Sequence, residues 1–184
     1  MHTEKQKMVA GDLYDPSDPT LSTERQCTRV LCQQLNALPW TESTIQRKAL
    51  LASLFASETD VYITTPFSCD YGYNIKLGAN VYFNFNCVIL DVAPVSIGKN
   101  TLFGPGVHIY TASHPMSVAE RRVGLEFGKA VAIGDDVWVG GGAIICPGVS
   151  VGNGAVIGAG SIVTRDIPEG MFAAGNPCHV IRKV

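Results

Sequence analysis

Two rhythms of apolar and polar positions divide the chain near residue 60. Before that point the spacing is helical. Thr3 can cap a short helix running through Met8 and Val9, with Gly11 as its stop. Tyr14 to Thr20 reads as a turn rich in Asp and Pro. A second helix is predicted from near Pro19, with Cys27, Val30, Leu31, Leu35 and Leu38 as its apolar stripe and Pro39 as its end. Thr41 can cap a third helix, whose inner positions are Ile45, Ala49, Ala52 and Phe55. Beyond residue 60 the rhythm shortens to six. Apolar residues recur at Leu77, Phe83, Ile89, then Ile97, Phe103, Ile109, then Ile133, Val139, Ile145, Val151, Ile157 and Val163. The next residue is often glycine (78, 98, 134, 140, 152, 158). Four residues after the apolar position comes a small or β-branched one, as at Val81, Cys87, Thr101, Val107, Val137, Ala143, Val149, Ala155 and Ser161.

A period of six fits neither the 3.6 of an α-helix nor the alternation of one long strand. It fits very short strands joined by sharp corners, stacked as the coils of a parallel β-helix, with the apolar residue pointing to the axis and the small one permitting the corner. Each coil buries its apolar face only against its neighbours, so both ends need covers. The helical segment 1–60 and the tail 169–184 are the candidates, with the coil occupying 61–168. Two interruptions break the count. Between Ile89 and Ile97 two residues are inserted around Pro94. After Ser113 the segment SHPMSVAERRVGLEFGK carries charges where the rhythm asks for apolar groups, so an excursion loop is expected over 113–130, rejoining the coil near Val131.

Composition narrows the class. The 184 residues suit one compact unit, charged residues are only 16%, and 19 glycines favour tight corners. The net charge of −2 comes without a basic block, which argues against nucleic acid as a partner. No run of about 18 apolar residues is present, so no membrane span is expected. The N-terminus lacks the apolar run of a signal peptide. Six cysteines show no C-x-x-C spacing, which reads as reduced, small, buried side chains in a cytoplasmic protein.

With the hexads in place, further blocks resemble the maltose O-acetyltransferase family and its galactoside and nodulation-factor relatives. These are AGDLYDPSDPTLSTER, DYGYNIKLG, NFNCVILD, PGVHIYTASHP and the tail GSIVTRDIPEGMFAAGNPCHVIRK. The likeness covers almost the whole chain. It implies a left-handed coil, a homotrimer, acetyl-CoA as co-substrate in a groove between two coils, and direct, metal-free transfer of acetyl to a hydroxyl of a small sugar such as maltose or glucose.

A sugar hydroxyl needs a base within hydrogen-bond reach as it attacks a thioester. Among His2, His108, His114 and His179, His114 sits where coil gives way to loop and matches the family's catalytic histidine; His108 reads as structural. The triple glycine 140–142 either offers backbone N–H groups to the oxyanion or simply makes a corner. The resemblance places cofactor contacts at Asn84, Gly141, Ala159, Thr164 and Arg165, and a phosphate contact at Arg182. A second phosphate-binding Arg of the family is His179 here. Asn84 also matches an acceptor contact. Trp138 packs on pantetheine, on the loop, or on another subunit. Asp70 and Asp91 match positions near the sugar, or cap turns. The family's N-terminal sugar-binding Asp falls on Pro16, which points to Asp15 beside it. Glu126 either lines the acceptor pocket or is a solvated loop carboxylate, and Arg25 either matches a family Arg or lies on a solvated helix face. Three rival readings stand: a different acceptor (galactoside, lipo-oligosaccharide, serine or xenobiotic), a γ-carbonic-anhydrase-like metalloenzyme lacking its third His, and a non-catalytic scaffold.

Overall fold

The computed structural model describes residues 2–39 and 44–184. Helix α1 spans Glu4–Ala10, α2 Pro19–Ala37, α3 Thr44–Phe55 and α4, within the loop, Val118–Arg121. Thr3 caps α1 in a reciprocal box with Gln6, and Gly11 ends it at φ 83°. Asp18 caps α2 through the N–H groups of Thr20 and Leu21, with Pro19 opening the helix. The expected cap at Thr41 lies outside the described residues.

The predicted helix stripes are met only in part: Leu35 and Phe55 are buried as expected. In α2 the buried residues are Leu21, Thr28, Cys32 and Leu35, whereas Cys27 and Val30 face solvent. Thr28 takes the inner position because its hydroxyl reaches two carbonyls, of Glu24 (3.1 Å) and Tyr71 (3.0 Å). In α3, Ile45 is 81% exposed and burial is confined to the last turns, at Leu51, Leu54 and Phe55. Phe55 begins an aromatic column through Phe67, Phe83 and Phe103. Helix α3 thereby covers the open end of the first coil.

The remainder is a parallel β-solenoid with three faces. The first face carries strands 62–63, 82–83, 102–103, 138–139 and 156–157. The second carries 67–69, 87–90, 108–110, 144–145 and 162–163, and the third 75–77, 95–97, 131–133 and 150–151. Every period-six residue is buried except Leu77, which is half-buried, and the second set is buried throughout. On the exposed edge of the first coil, Asn36 of α2 pairs with Phe67 in both directions at 2.9 Å, taking the place of a neighbouring strand. At the other end, Met171–Ala174 continues the first face and His179–Lys183 folds back on it antiparallel.

The small residue after each apolar position serves stacking more than bending. A Cβ on Gly140 would lie 2.6 Å from the Ala159 nitrogen of the next coil. The bend itself falls two residues later, at Asn86 (φ 61°), Gly106 (66°), Gly142 (70°) and Gly160 (70°). Gly142→Ala is therefore expected to cost about 1–2 kcal/mol in urea unfolding from backbone strain alone, because its Cβ meets nothing closer than 3.9 Å. Gly142→Asn should cost less, since the equivalent corner two coils earlier already holds an Asn, Asn86, at φ 61°.

One corner is wider than the rest. Cys69 to Leu77 spans eight residues, as Ile89 to Ile97 does, so the first two coils share the insertion. In the third coil the same corner opens into the loop, closed at its base by antiparallel pairing of Ser113 with Phe127 and Ala112 with Gly128. Helices α1 and α2 lie over this corner and form a second small core of Met8, Tyr14, Leu21, Tyr71 and Val92. Among the described residues no helix is long and apolar enough to cross a membrane. All six cysteines are free; Cys27 is exposed and Cys146 half-buried, unlike the buried state expected of the set.

Candidate active site

The widened corner gathers the acceptor-side residues. His114 stands at the loop's base, about half exposed, with its Nε2 3.8 Å from Glu126 Oε1. Tyr14, wholly buried, donates its hydroxyl to Glu126 Oε2 at 2.8 Å. The backbones of Tyr14 and Glu126 also exchange two hydrogen bonds, at 2.9 and 3.1 Å. Arg25 is not on a solvated face: its guanidinium reaches the Tyr71 hydroxyl (2.6 Å) and the Pro16 carbonyl (2.5 Å), tying α2 to the corner. Burial pushes the Tyr71 phenol up to about 12 against the pull of Arg25, and it holds the Tyr14 phenol well above its ordinary range. Glu24 accepts from Lys5 and from Tyr73, which joins α1, α2 and the corner in one polar cluster.

Asp70 is half-buried at the first coil's turn, and burial raises its carboxyl while Arg25 and Arg29 pull it down. Asp91 lies beneath it, fully buried. Its Oδ1 accepts the N–H groups of Asp70 (3.0 Å) and Tyr71 (2.9 Å), and its Oδ2 has no partner. Burial drives the Asp91 carboxyl to about 7. A carboxyl so placed shapes the turn that presents Asp70. Asp15 is exposed, with its carboxylate accepting the backbone N–H and hydroxyl of Ser17, which lowers its pKa and closes a local turn.

The cofactor-side residues gather elsewhere. Asn84 and Gly141 sit at the corner between the first and second faces, with Ala159 one coil further on. Asn84 Oδ1 accepts the Phe85 N–H at 2.8 Å, which leaves its NH₂ outward. Trp138 is 57% exposed on the first face. His179 and Arg182 lie exposed on the returning tail strand, the Arg182 guanidinium over the Phe172 ring. Thr164 and Arg165 follow the last strand of the second face. Within the triple glycine, the Gly140 and Gly142 N–H groups are held by Ile157 and Pro105 carbonyls. Gly141 is the member whose N–H makes no bond among the described residues, so of the three it is the one available to an oxyanion.

One chain thus separates Asn84, Gly141 and Ala159 from the widened corner by the width of the second face, on the order of 15–20 Å for a six-residue side, while Thr164 and Arg165 lie between the same two faces as His114, two coils further on. His108 lies on that face, hydrogen-bonded to Tyr110. Among the described residues no three His, Cys, Asp or Glu side chains converge as a metal would require. Sequence reasoning missed Tyr14, whose only signal was an aromatic residue inside an otherwise polar turn.

Comparison with known proteins finds relatives along nearly the whole chain. The family model described as the maltose acetyltransferase hexapeptide capping motif fits residues 7–58, and that of the bacterial transferase hexapeptide (six repeats) fits 130–165. The chain is 46% identical to nodulation protein L of Rhizobium meliloti, over 97% of each chain. A maltose O-acetyltransferase from Clostridium difficile 630 superposes with a TM-score of 0.96 at 44% identity, covering 100% of this chain and 98% of that one. A galactoside acetyltransferase in complex with coenzyme A superposes with a TM-score of 0.91 at 36% identity, covering 100% and 92%.

Proposed function

We propose a reaction for this chain from its membership: it belongs to the hexapeptide-repeat acetyltransferases of the maltose O-acetyltransferase family. Acetyl-CoA is the donor, and a hydroxyl of a small sugar such as maltose or glucose is the acceptor. The observation that carries this reading is an exposed imidazole beside a carboxylate at the mouth of an acidic corner, His114 with Glu126 and Asp70.

His114 takes the hydroxyl proton as the oxygen attacks the thioester carbonyl. The resulting oxyanion is met by the Gly141 N–H and the Asn84 amide. Collapse expels the CoA thiolate, which recovers the proton from the imidazolium. Asp70 and Asp15 accept hydrogen bonds from the sugar's other hydroxyls. Asp91 supports Asp70 from below. Trp138, Ala159, Thr164 and Arg165 line the pantetheine path, and Arg182 with His179 faces the phosphates. Residues 1–60 serve the acceptor, 61–168 carry the chemistry, and 169–184 close the cofactor end.

Asn84, Gly141 and Ala159 occupy a different corner of the chain from His114, so a complete site needs a second chain. A closed homotrimer supplies that contact three times over. The donor and the free thiols suit a cytoplasmic enzyme. The test is thiol release from acetyl-CoA with glucose, maltose, a galactoside and serine as acceptors. Turnover is expected with the glucose-type sugars. Release with serine or the galactoside alone would reassign the acceptor, and no release with any of them, together with no CoA binding, would leave a scaffold.

A further inference from the structure

We infer that Tyr14 is a positioning residue for acetyl transfer, acting on His114 by fixing the carboxylate of Glu126. The inference rests on His114 being the base of the reaction proposed above. Two segments far apart in sequence meet here: the turn after α1, which carries Tyr14, and the foot of the loop, whose two paired sides carry His114 and Glu126. Tyr14 holds Glu126 at three points. Two backbone bonds set the position of its main chain, and the phenol hydroxyl, 2.8 Å from Oε2, sets its side chain. Oε1 is left facing His114 Nε2 at 3.8 Å, an ion-pair separation that a bound acceptor would shorten.

The chemistry follows from what each atom can do. An ionised carboxylate only accepts, so the imidazole nitrogen facing it carries the proton. The other nitrogen, Nδ1, keeps its lone pair and takes the sugar's proton. When that transfer makes an imidazolium, the carboxylate is already in place to stabilise it, as the buried acid does in a hydrolase triad. Packing alone does not need the phenol oxygen. Tyr14 is fully buried among Met8, Leu21, Tyr71 and Val92, where Phe would fill the same space. The other charged or titratable groups at this point are Arg25 of α2 and Tyr71 and Asp70 of the corner.

The experiment compares wild type, Tyr14→Phe, Glu126→Gln, the double variant and His114→Ala. Tyr14→Phe should lower kcat roughly tenfold with little change in KM for acetyl-CoA. The double variant should be no slower than Glu126→Gln alone, because one device has been broken twice. Independently of turnover, ¹⁵N shifts of the His114 ring should report the proton on Nε2 in wild type and a tautomer mixture in Tyr14→Phe. Unchanged kcat and an unchanged ring tautomer in Tyr14→Phe, or losses that multiply in the double variant, would overturn the relay while His114→Ala still removes activity. A fully active His114→Ala would instead remove the base, and this role of Tyr14 with it.

Discussion

His114→Ala is expected to lower kcat for acetyl transfer by about 10²–10⁴-fold, the usual worth of a positioned general acid–base, with acetyl-CoA affinity close to wild type. The split follows from where the groups lie. In the proposed reaction the imidazole takes the proton of the acceptor hydroxyl, and that proton is the one the departing thiolate needs. Of the residues assigned to the cofactor, Asn84, Gly141 and Ala159 occupy the neighbouring corner with the second face between them and the ring, His179 and Arg182 lie on the tail strand, and Thr164 and Arg165 lie two coils further along the ring's own corner. Removing the ring therefore removes an interaction made in the transition state and leaves the ground-state binding of the donor. Steady-state thiol release, with CoA binding followed by calorimetry, separates the two quantities. A variant that keeps most of its turnover would place the base on another group. A variant that loses CoA binding in parallel would mean that the loop foot, and not the ring alone, had collapsed.

The coil was legible in the sequence because a solenoid repeats its physics. Each inward position sees the same row above and below, so Ile133, Val139, Ile145 and their successors recur at a fixed interval and stack as rows in the structure. The helices obey no such repetition. The stripe of α2 was misread because a threonine, Thr28, occupies an inner position by satisfying its hydroxyl on two carbonyls, and no apolar count registers that. Of the positions expected inside in α3, Phe55 is buried and Ile45 is not, because burial follows the open coil that the helix's last turns cover. The site divides in the same way. That His114 stands at the foot of the loop was legible from the break in the rhythm. Its relation to Glu126 and Tyr14 was not, since Tyr14 and Glu126 meet across 112 residues through a turn and a loop that carry no period. The triple glycine showed the converse: two of its three members answer to the coil's ladder and leave one for chemistry.

Stability should fall by about 3 kcal/mol relative to Asp91→Asn as the pH rises from 5 to 8, through the single buried carboxyl of Asp91. Burial is the main cause of its raised pKa, with the Asp70 charge adding to it and the backbone N–H groups of Tyr71 and Asp70 opposing. In the unfolded chain the same carboxyl releases its proton near pH 4. In the folded chain it holds the proton to about 7. Over that window the native state binds the extra proton, so each rise in pH favours unfolding, and the loss levels off once both states are ionised. Asn in its place keeps an oxygen for the Asp70 and Tyr71 N–H groups and carries no charge to bury, so its own profile lacks this slope. For a chain of this length the difference amounts to roughly 6–12 °C in Tm between the two proteins' pH responses. Thermal unfolding of both, at matched ionic strength from pH 5 to pH 8, reads it directly. Parallel profiles would mean that Asp91 ionises as freely in the corner as in water, and the turn presenting Asp70 would then owe nothing to a protonated support beneath it.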